Sequence, residues 1–536
     1  MVGQPGDCGL ISIILKNHQL VLIALLIIQV LNACTNNTPE LKPNIILVYA
    51  DDLGRGLLGA YGQQFITTPN IDKLASEGIR FDNVYGCMLC APARASLLTG
   101  MHDCHRDEWN VTTGGIYKKL DREMKFEEII HQIHAVAKPA KEDEIFLGQV
   151  AQNAGYITAE FGKLEWGFAT TPDRLTRHGW DYHFGYYDHV RCHGFYPPFL
   201  FENGQKVDLP GNTHIDCAKT PESGTPENDA LRMDKNGKAI YSENIIMEKL
   251  LAFMDNNHPG KTGHPFLIYF PTQLPHGPTS IPEVHEDFIG LDTLTQIEKE
   301  YASMVKMLDD DVGRIKSKLE EMEILDNTVI IFTADNGHEI YYSYEGRTVK
   351  NDRRIDGTKY DNVTTKFYSE LSGDIFDGND GMAGMKRSNW EGGTRVPLLW
   401  YWKGKINSGQ VSKQMVSNYD LLNTIAEITG QPQIESKDGI SYAKTLFGSK
   451  SKERDYTVFS SFMGPAIVTK DGWKLRYFKP KDIYQLYFLP EDYREEFELS
   501  DQHPARVQEL AKILLEECDG NLENGFFGWN KTKSFN

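Results

Sequence analysis

Four runs along the chain are almost unbroken in apolar and β-branched residues: Asn44-Ile45-Ile46-Leu47-Val48-Tyr49-Ala50, Tyr156-Ile157-Thr158-Ala159-Glu160-Phe161, Pro265-Phe266-Leu267-Ile268-Tyr269-Phe270 and Thr328-Val329-Ile330-Ile331-Phe332-Thr333-Ala334. A strand with one wet face alternates apolar and polar side chains, so a run without alternation predicts a strand covered on both faces, as in a parallel sheet. Between the third and fourth runs Met304, Leu308, Val312, Ile315, Leu319 and Met322 recur at helical spacing and predict a helix with one core-facing stripe. Thr68-Pro69-Asn70-Ile71-Asp72-Lys73-Leu74-Ala75 opens another helix, Leu97-Leu98 anchors one just beyond residue 90, and residues 418–430 read as the helix that ends the large domain. After about Asp438 the pattern changes to short strands at 456–459, 474–478 and 485–488. A helix near 504–517 follows, with Val507, Leu510 and Leu514 on one face. These patterns predict an α/β domain over 43–437, with a mostly parallel central sheet flanked by helices, and a small C-terminal α+β subdomain over 438–536 with an antiparallel sheet.

Ligand sites in such sheets lie at the carboxyl ends of the strands. Each of the four runs is followed there by residues that carry chemistry: Asp51-Asp52-Leu53-Gly54, Gly162-Lys163-Leu164-Glu165-Trp166-Gly167, Pro275-His276-Gly277-Pro278 and Asp335-Asn336-Gly337-His338. Adjacent carboxylates repel one another and are expensive to bury unless a cation lies between them; capping a helix is the plainer role for one of the pair. Asp51, Asp52, Asp335 and Asn336 offer only oxygen, the ligand set of a hard cation such as calcium. In Cys90-Ala91-Pro92-Ala93-Arg94 a thiol and a guanidinium stand side by side on a segment stiffened by proline, which makes an anion site with a reactive atom in it. Read alone, Cys87-x-x-Cys90 is also half of a zinc site or a redox pair, each of which needs a context the surrounding sequence lacks.

The composition is that of a globular protein: 536 residues, 40% hydrophobic, long enough for a large domain and a smaller one. Acidic residues outnumber basic ones, 75 to 56, for a net charge of −19, which argues against a nucleic-acid or anionic-membrane binder. An anionic substrate must therefore be drawn by a local basic pocket. Eight cysteines are too few for a disulfide scaffold in so long a chain. At the start, Lys16, an apolar stretch from Leu20 to Leu31 and then Leu31-Asn32-Ala33-Cys34 read as a secretory signal over 1–34 ending in a lipoprotein box, with residues 35–42 as a tether. The apolar stretch is shorter than the roughly 20 residues that span a bilayer. A lipid on Cys34 and an ordinary cleaved signal are both open, and both export the protein, to the periplasm or the outer membrane of a Gram-negative bacterium.

Cys90-Ala91-Pro92-Ala93-Arg94 followed by Leu98-Thr99-Gly100 resembles the signature of the type I sulfatases, in which the cysteine is oxidised after synthesis to formylglycine. The family's usual serine is Ala93 here. The strand-end Asp51-Asp52-Leu53-Gly54, Pro275-His276-Gly277-Pro278, Asp335-Asn336-Gly337 and Lys386 ahead of Glu391-Gly392-Gly393 match the family's further blocks in order. The branch resembled is that of exported bacterial polysaccharide and aryl sulfatases. The resemblance implies an alkaline-phosphatase-like fold and one calcium ion on Asp51, Asp52, Asp335, Asn336 and residue 90. It implies a maturation enzyme that modifies Cys90. It also implies Lys163 and Lys386 against sulfate oxygens, and Arg94 acting with the metal to make the hydroxyl at residue 90 acidic. One hydroxyl of the hydrated aldehyde would attack sulfur while His276 protonates the leaving alcohol, and elimination of sulfate would regenerate the aldehyde. His105 resembles a histidine that some branches hold against the formylglycine. Glu165 stands where the family has a second histidine, so either Glu165 serves as the base or another histidine does; His193, in Cys192-His193-Gly194-Phe195-Tyr196-Pro197, is the candidate.

The implied substrate is a sulfated carbohydrate, algal galactans or ulvan ahead of animal glycosaminoglycans. Tyr186, Tyr187, Tyr196 and Trp390 are candidates to stack on sugars, and the polar stretch from Tyr341 to Met382 is a candidate specificity loop. Two other readings stand beside this one: a phosphomonoester or phosphonate hydrolase of the same fold, and an inactive carbohydrate-binding lipoprotein.

Overall fold

The computed structural model describes residues 1, 42–105, 111–112, 114–121, 124–137, 140–166, 169–213, 225–342, 352–353, 359–360, 365–527 and 532–533. Pro43–Asn536 is one compact unit, and Met1–Lys42 is another of which only the two end residues are described. The expected signal segment, Cys34 and tether therefore lie outside the described residues. Among those that are described, no helix is long and apolar enough to cross a membrane.

A ten-stranded sheet runs through the large unit. In chain order its strands are β1 (Asn44–Ala50), β2 (Ile79–Phe81), β3 (Ile157–Lys163), β4 (Tyr182–Tyr186), β5 (Phe199–Glu202), β6 (Gln205–Asp208), β7 (Phe266–Pro271), β8 (Thr328–Ala334), β9 (Leu398–Trp402) and β10 (Gln410–Ser412), and across the sheet they lie β10-β2-β9-β8-β1-β7-β3-β4-β5-β6. The block β8-β1-β7-β3-β4 is parallel, with antiparallel partners at β9 on one side and β5 on the other. The four apolar runs are the core of that block, and every residue of β1, β7 and β8 is buried. Strands β4, β5 and β6 fall in stretches the hydrophobic pattern left unassigned: β6 is largely exposed, so its polar residues hide it.

Because both faces of the central strands are covered, two sets of helices are needed. Helices α1 (Pro69–Glu77), α3 (Ser242–Asn256) and α4 (Gln296–Glu321) form one contiguous set. Helix α2 (Cys90–Thr99), the short helix Leu147–Asn153 and α5 (Asp420–Ile428) form the other. Helix α4 carries the predicted stripe, with Met304, Leu308, Val312, Ile315 and Leu319 all buried, and starts at a capping box between Thr295 and Glu298.

The C-terminal part is a four-stranded antiparallel sheet of β11 (Tyr456–Phe459), β12 (Ala466–Thr469), β13 (Trp473–Phe478) and β14 (Ile483–Phe488), crossed by α6 (Pro504–Glu517). Leu510 and Leu514 of α6 pack on Val458, Ile467, Leu475 and Leu486, each such leucine contributing about 1.5–3 kcal/mol of burial. Asp103, just beyond α2, ties the two parts by accepting from the Ser460 amide at 2.8 Å and its hydroxyl at 2.6 Å.

Candidate active site

Register decides the geometry. Strands β1 and β8 pair residue for residue from Asn44 with Thr328 to Ala50 with Ala334, so Asp51-Asp52 and Asp335-Asn336 leave the sheet side by side. Asp52 sits in the left-handed region (φ 61), and its amide donates to Asp335 Oδ1 at 3.0 Å. The Asn336 amide nitrogen donates to Asp52 Oδ1 at 2.8 Å. Carboxylate oxygens of Asp51, Asp52 and Asp335 converge to within 4.8 Å of one another, and all three side chains are buried.

Three cations face them. Lys163, the last residue of β3, donates to Asp51 Oδ2 at 2.7 Å, and Lys386 donates to Asp52 Oδ2 at 2.6 Å. Arg94 donates to Asp335 Oδ2 at 3.0 Å and stands 3.6 Å from Asp51 Oδ2. The loop bearing Lys386 reaches the site because it is pinned to the end of β8: the Lys386 amide donates to His338 O, and that of Gly337 to Gly393 O, both at 3.0 Å. A Cβ on Gly337 would stand 1.9 Å from Gly392 O, so only glycine admits this approach.

Cys90 opens α2, with Leu89 as N-cap, and the helix points its positive end at the same place. Pro92 lies in the first turn, where its missing N–H breaks no helical bond. The thiol is buried and lies within the fields of Arg94 and Lys163.

Two imidazoles complete the wall. His193 and His276 stack at 3.9 Å with planes 7° apart; His193 Nε2 lies 3.4 Å from Lys163 Nζ and His276 Nε2 lies 3.2 Å from Lys386 Nζ. His276 Nδ1 is 2.5 Å from Gly277 O, which fixes the proton there and leaves Nε2 to accept from Lys386. Burial, followed by the Lys386 and Lys163 charges, outweighs the two aspartates and pushes His276 down to about 3, so the imidazole is neutral. Sequence reasoning missed Tyr341, whose hydroxyl donates to Asp52 Oδ2. Its place three residues beyond His338 carries no signal of that contact.

The donor set fits a hard cation. Burial alone would raise Asp51 and Asp52, but the Lys163, Arg94 and Lys386 charges at Asp51, and the Lys386 charge at Asp52, hold both below the usual carboxylate range. Asp335 is the exception, raised to about 8 by burial and by Asp51. Among the described residues, Asp51 Oδ1 and Asn336 Oδ1 are buried without a hydrogen-bond partner, and so are Arg94 Nε and Nη1. The first pair are oxygens waiting for a cation and the second are donors waiting for an anion.

Six sequence candidates fall elsewhere or act otherwise. Both ring nitrogens of His105 are engaged away from the pocket, Nε2 with Asp438 at 3.0 Å and Nδ1 with Asp519 at 3.2 Å, so this ring is not directed at residue 90. Burial opposes its charge, but those carboxylates push it up to about 9. Glu165 has a left-handed backbone (φ 60) that turns its carboxylate to His178 Nδ1 at 2.7 Å, while its amide donates to Glu160 at 2.7 Å. Tyr187 stacks on Phe201 at 4.2 Å, and Trp390 lies under the Arg476 guanidinium at 3.6 Å. These rings, with Tyr186 and Tyr196, are buried and pack the core in place of offering a sugar platform. Much of the expected specificity loop, 343–351, 354–358 and 361–364, lies outside the described residues.

The Sulfatase family model matches residues 43–431, and the model for N-sulphoglucosamine sulphohydrolase, C-terminal, matches 381–519. The N-acetylgalactosamine-6-O-sulfatase of Bacteroides thetaiotaomicron is 26% identical over 540 residues, covering 89% of this chain and 94% of that protein. Among solved structures, a chain from work on the metabolism of multiple glycosaminoglycans by Bacteroides thetaiotaomicron has a TM-score of 0.64 at 24% identity, covering 89% of this chain and 99% of the other. Ps i-CgsB in complex with k-i-k-neocarrahexaose has a TM-score of 0.64 at 22% identity, covering 91% and 95%. These two structures bear on the fold.

Proposed function

The chain belongs to the sulfatase family, a sulfuric ester hydrolase on the alkaline-phosphatase-like fold, and from that premise we propose that it removes sulfate from a carbohydrate, with residue 90 converted to formylglycine and calcium as the metal. The observation that carries this reading is the convergence of Arg94, Lys163 and Lys386 on an all-oxygen cluster of Asp51, Asp52, Asp335 and Asn336 beside Cys90. Such a site supplies, when loaded, a hydroxyl nucleophile at residue 90 made acidic by the cation, and an aldehyde exit that a thiol lacks.

The remaining steps belong to side chains. Arg94, with two unpartnered donors, and the two lysines bind the sulfate oxygens and stabilise the charge that develops on them. His276 Nε2 faces the leaving oxygen; an anionic ester beside it favours the imidazolium and so arms a group that is neutral in the free site. His193, against Lys163, takes the proton that triggers expulsion of sulfate, the task the family gives to the histidine replaced by Glu165.

For the substrate, a relative that matches this chain over 94% of its own length is named for N-acetylgalactosamine 6-sulfate, and a structural neighbour was solved with a carrageenan oligosaccharide. Both sugars have the galacto configuration. We therefore place the substrate among sulfated galacto-configured sugars, which algal galactans and the galactosamine-containing glycosaminoglycans share and ulvan does not. Export and a lipid on Cys34 belong to the same proposal, supported by the Leu20 to Leu31 stretch and its box.

The test is sulfate release from N-acetylgalactosamine 6-sulfate, galactan oligosaccharides and ulvan oligosaccharides, with aryl phosphate and phosphonate esters alongside. The enzyme is produced with a formylglycine-generating enzyme. Preference for the galacto-configured sulfates is expected; faster turnover of the phosphorus esters would instead favour the phosphohydrolase reading.

A further inference from the structure

Behind the nucleophile helix, the loop that follows Gly100 meets the end of α6 in a cluster that the hydrolysis does not use. His102 Nε2 lies 2.8 Å from Glu517 Oε2 and 3.7 Å from Asp438 Oδ2, and His105 Nε2 lies 3.0 Å from the same Asp438 oxygen. The two imidazoles stack at 4.0 Å with planes 16° apart, and both Nε2 atoms face the same Asp438 oxygen. Ligand atoms of His102, His105 and Asp438 all fall within 4.8 Å of one another, and His102 is 2% exposed.

We propose that His102, His105, Asp438 and Glu517 form a second metal site, one that takes zinc and fastens the C-terminal helix to the loop behind the nucleophile.

Three features of the cluster support this. Ligand atoms around a tetrahedral zinc at 2.0–2.1 Å stand about 3.3 Å apart; the separations of 2.8, 3.0 and 3.7 Å lie around that value, with His102, His105 and Asp438 forming the compact group and Glu517 joined to it through His102. The donor types, two imidazoles and two carboxylates, suit a borderline cation, whereas the all-oxygen site beside Cys90 suits a hard one. A second sphere is already in place: His105 Nδ1 lies 3.2 Å from Asp519 Oδ1, the carboxylate–histidine arrangement that orients a ligating imidazole and sets its tautomer.

Ion pairing alone accounts for the cluster less well. Pairing the three carboxylates Asp438, Glu517 and Asp519 with histidines alone calls for both rings to be cationic, and stacking at 4.0 Å sets those like charges against each other. A divalent cation supplies the same two positive charges with both rings neutral. Binding through His102 Nε2 puts its proton on Nδ1 and gives up the long 3.3 Å contact from the Cys104 amide. At the C-terminal end of α6 the helix dipole adds to the attraction for a cation.

The experiment uses the untagged full chain, stripped with chelator and resupplied with calcium so that the oxygen site is filled. Zinc is then added alone and bound metal is counted after equilibrium dialysis. One tightly held zinc equivalent is expected in the parent protein and in Asp51→Asn. It should be lost in His105→Lys, which keeps a cation beside Asp438 but no imidazole, and held at least tenfold more weakly in Glu517→Gln. Cobalt in place of zinc should give the visible absorption of a tetrahedral ion, absent from His105→Lys. The proposal fails if the parent retains no zinc, or if the equivalent disappears in Asp51→Asn and survives in His105→Lys.

Discussion

Replacing His193 by asparagine and Glu165 by glutamine separates the two ways in which this chain can finish its reaction without the family's second histidine. The structure sets unequal stakes. His193 stacks on His276 at 3.9 Å and reaches to 3.4 Å from Lys163 Nζ, inside the cationic pocket. A general base there is worth about 10²–10⁴ in rate, so His193→Asn should lower kcat by that factor. Glu165 spends one oxygen on His178 at 2.7 Å, and no contact links it to the pocket lysines. Glu165→Gln therefore loses a charge-assisted hydrogen bond worth about 1.5–3 kcal/mol of stability, partly offset by relief of Glu160, whose carboxyl burial and the Glu165 charge hold far above the usual range. Its kcat should stay within about tenfold of the parent, under ~1.4 kcal/mol of barrier. The assay is turnover of a chromogenic aryl sulfate, with the first turnover followed by rapid mixing. Since the first transfer relies on His276, His193→Asn should release one equivalent of phenol quickly and then stall, with the sulfated enzyme visible by intact mass. If Glu165→Gln stalls instead, at unchanged thermal stability, the assignment of the base is wrong.

Three further outcomes follow from the same geometry. A peptide containing Cys90, from protein matured alongside a formylglycine-generating enzyme, should be lighter than the thiol form by about 18 Da; an unmodified thiol would move the inactive carbohydrate-binding reading forward. Lys386→Met cuts a buried pair with Asp52 at 2.6 Å, which should cost about 3–5 kcal/mol in chelated protein and less with calcium bound, while slowing the calcium-loaded enzyme by about 10²–10³; equal stability losses with and without calcium would place the cation away from Asp52. Burial pushes His183 down to about 4, so its neutral form is favoured by folding. The stability it brings is complete above an ordinary histidine pKa of about 6.5 and drains away as pH falls toward 4. Urea midpoints between pH 7 and 5 should fall less steeply in His183→Gln than in the parent.

The site was legible where chemistry sits next to a strongly patterned strand. A run such as Asn44 to Ala50 fixes its own fate, because seven consecutive buried residues have no face for water. The polar residues after it must then emerge at the end of the sheet. Two such runs placed in register bring Asp51-Asp52 and Asp335-Asn336 together, although 283 residues separate Asp52 from Asp335. Lys386 was harder: it follows no patterned strand, and its approach depends on glycines at 337 and 392 that let two loops touch. The antiparallel hairpin of β5 and β6 escaped because β5 is only four residues long, too short an apolar run to stand out, and β6 at the sheet edge is exposed and polar.

What a local motif does not encode is the direction in which a side chain leaves the backbone. His105 follows the nucleophile helix closely enough to be read as reaching residue 90, yet Gly100 ends that helix in the left-handed region (φ 71) and the loop beyond it carries both histidines to Asp438 and α6. Glu165 lies two residues from Lys163, where alternation along an extended strand would put both side chains on one face. The strand stops at Lys163, and a left-handed residue at 165 reverses the chain, so Lys163 enters the pocket and Glu165 turns to His178. Once the second position no longer faces the sulfate, nothing in the pocket requires a histidine there. His193, delivered from the short helix His189–Cys192, fills the space beside Lys163. On the reading proposed above, the segment bearing His193 supplies the second imidazole, and because residue 165 is directed at His178 a histidine placed there should not rescue His193→Asn.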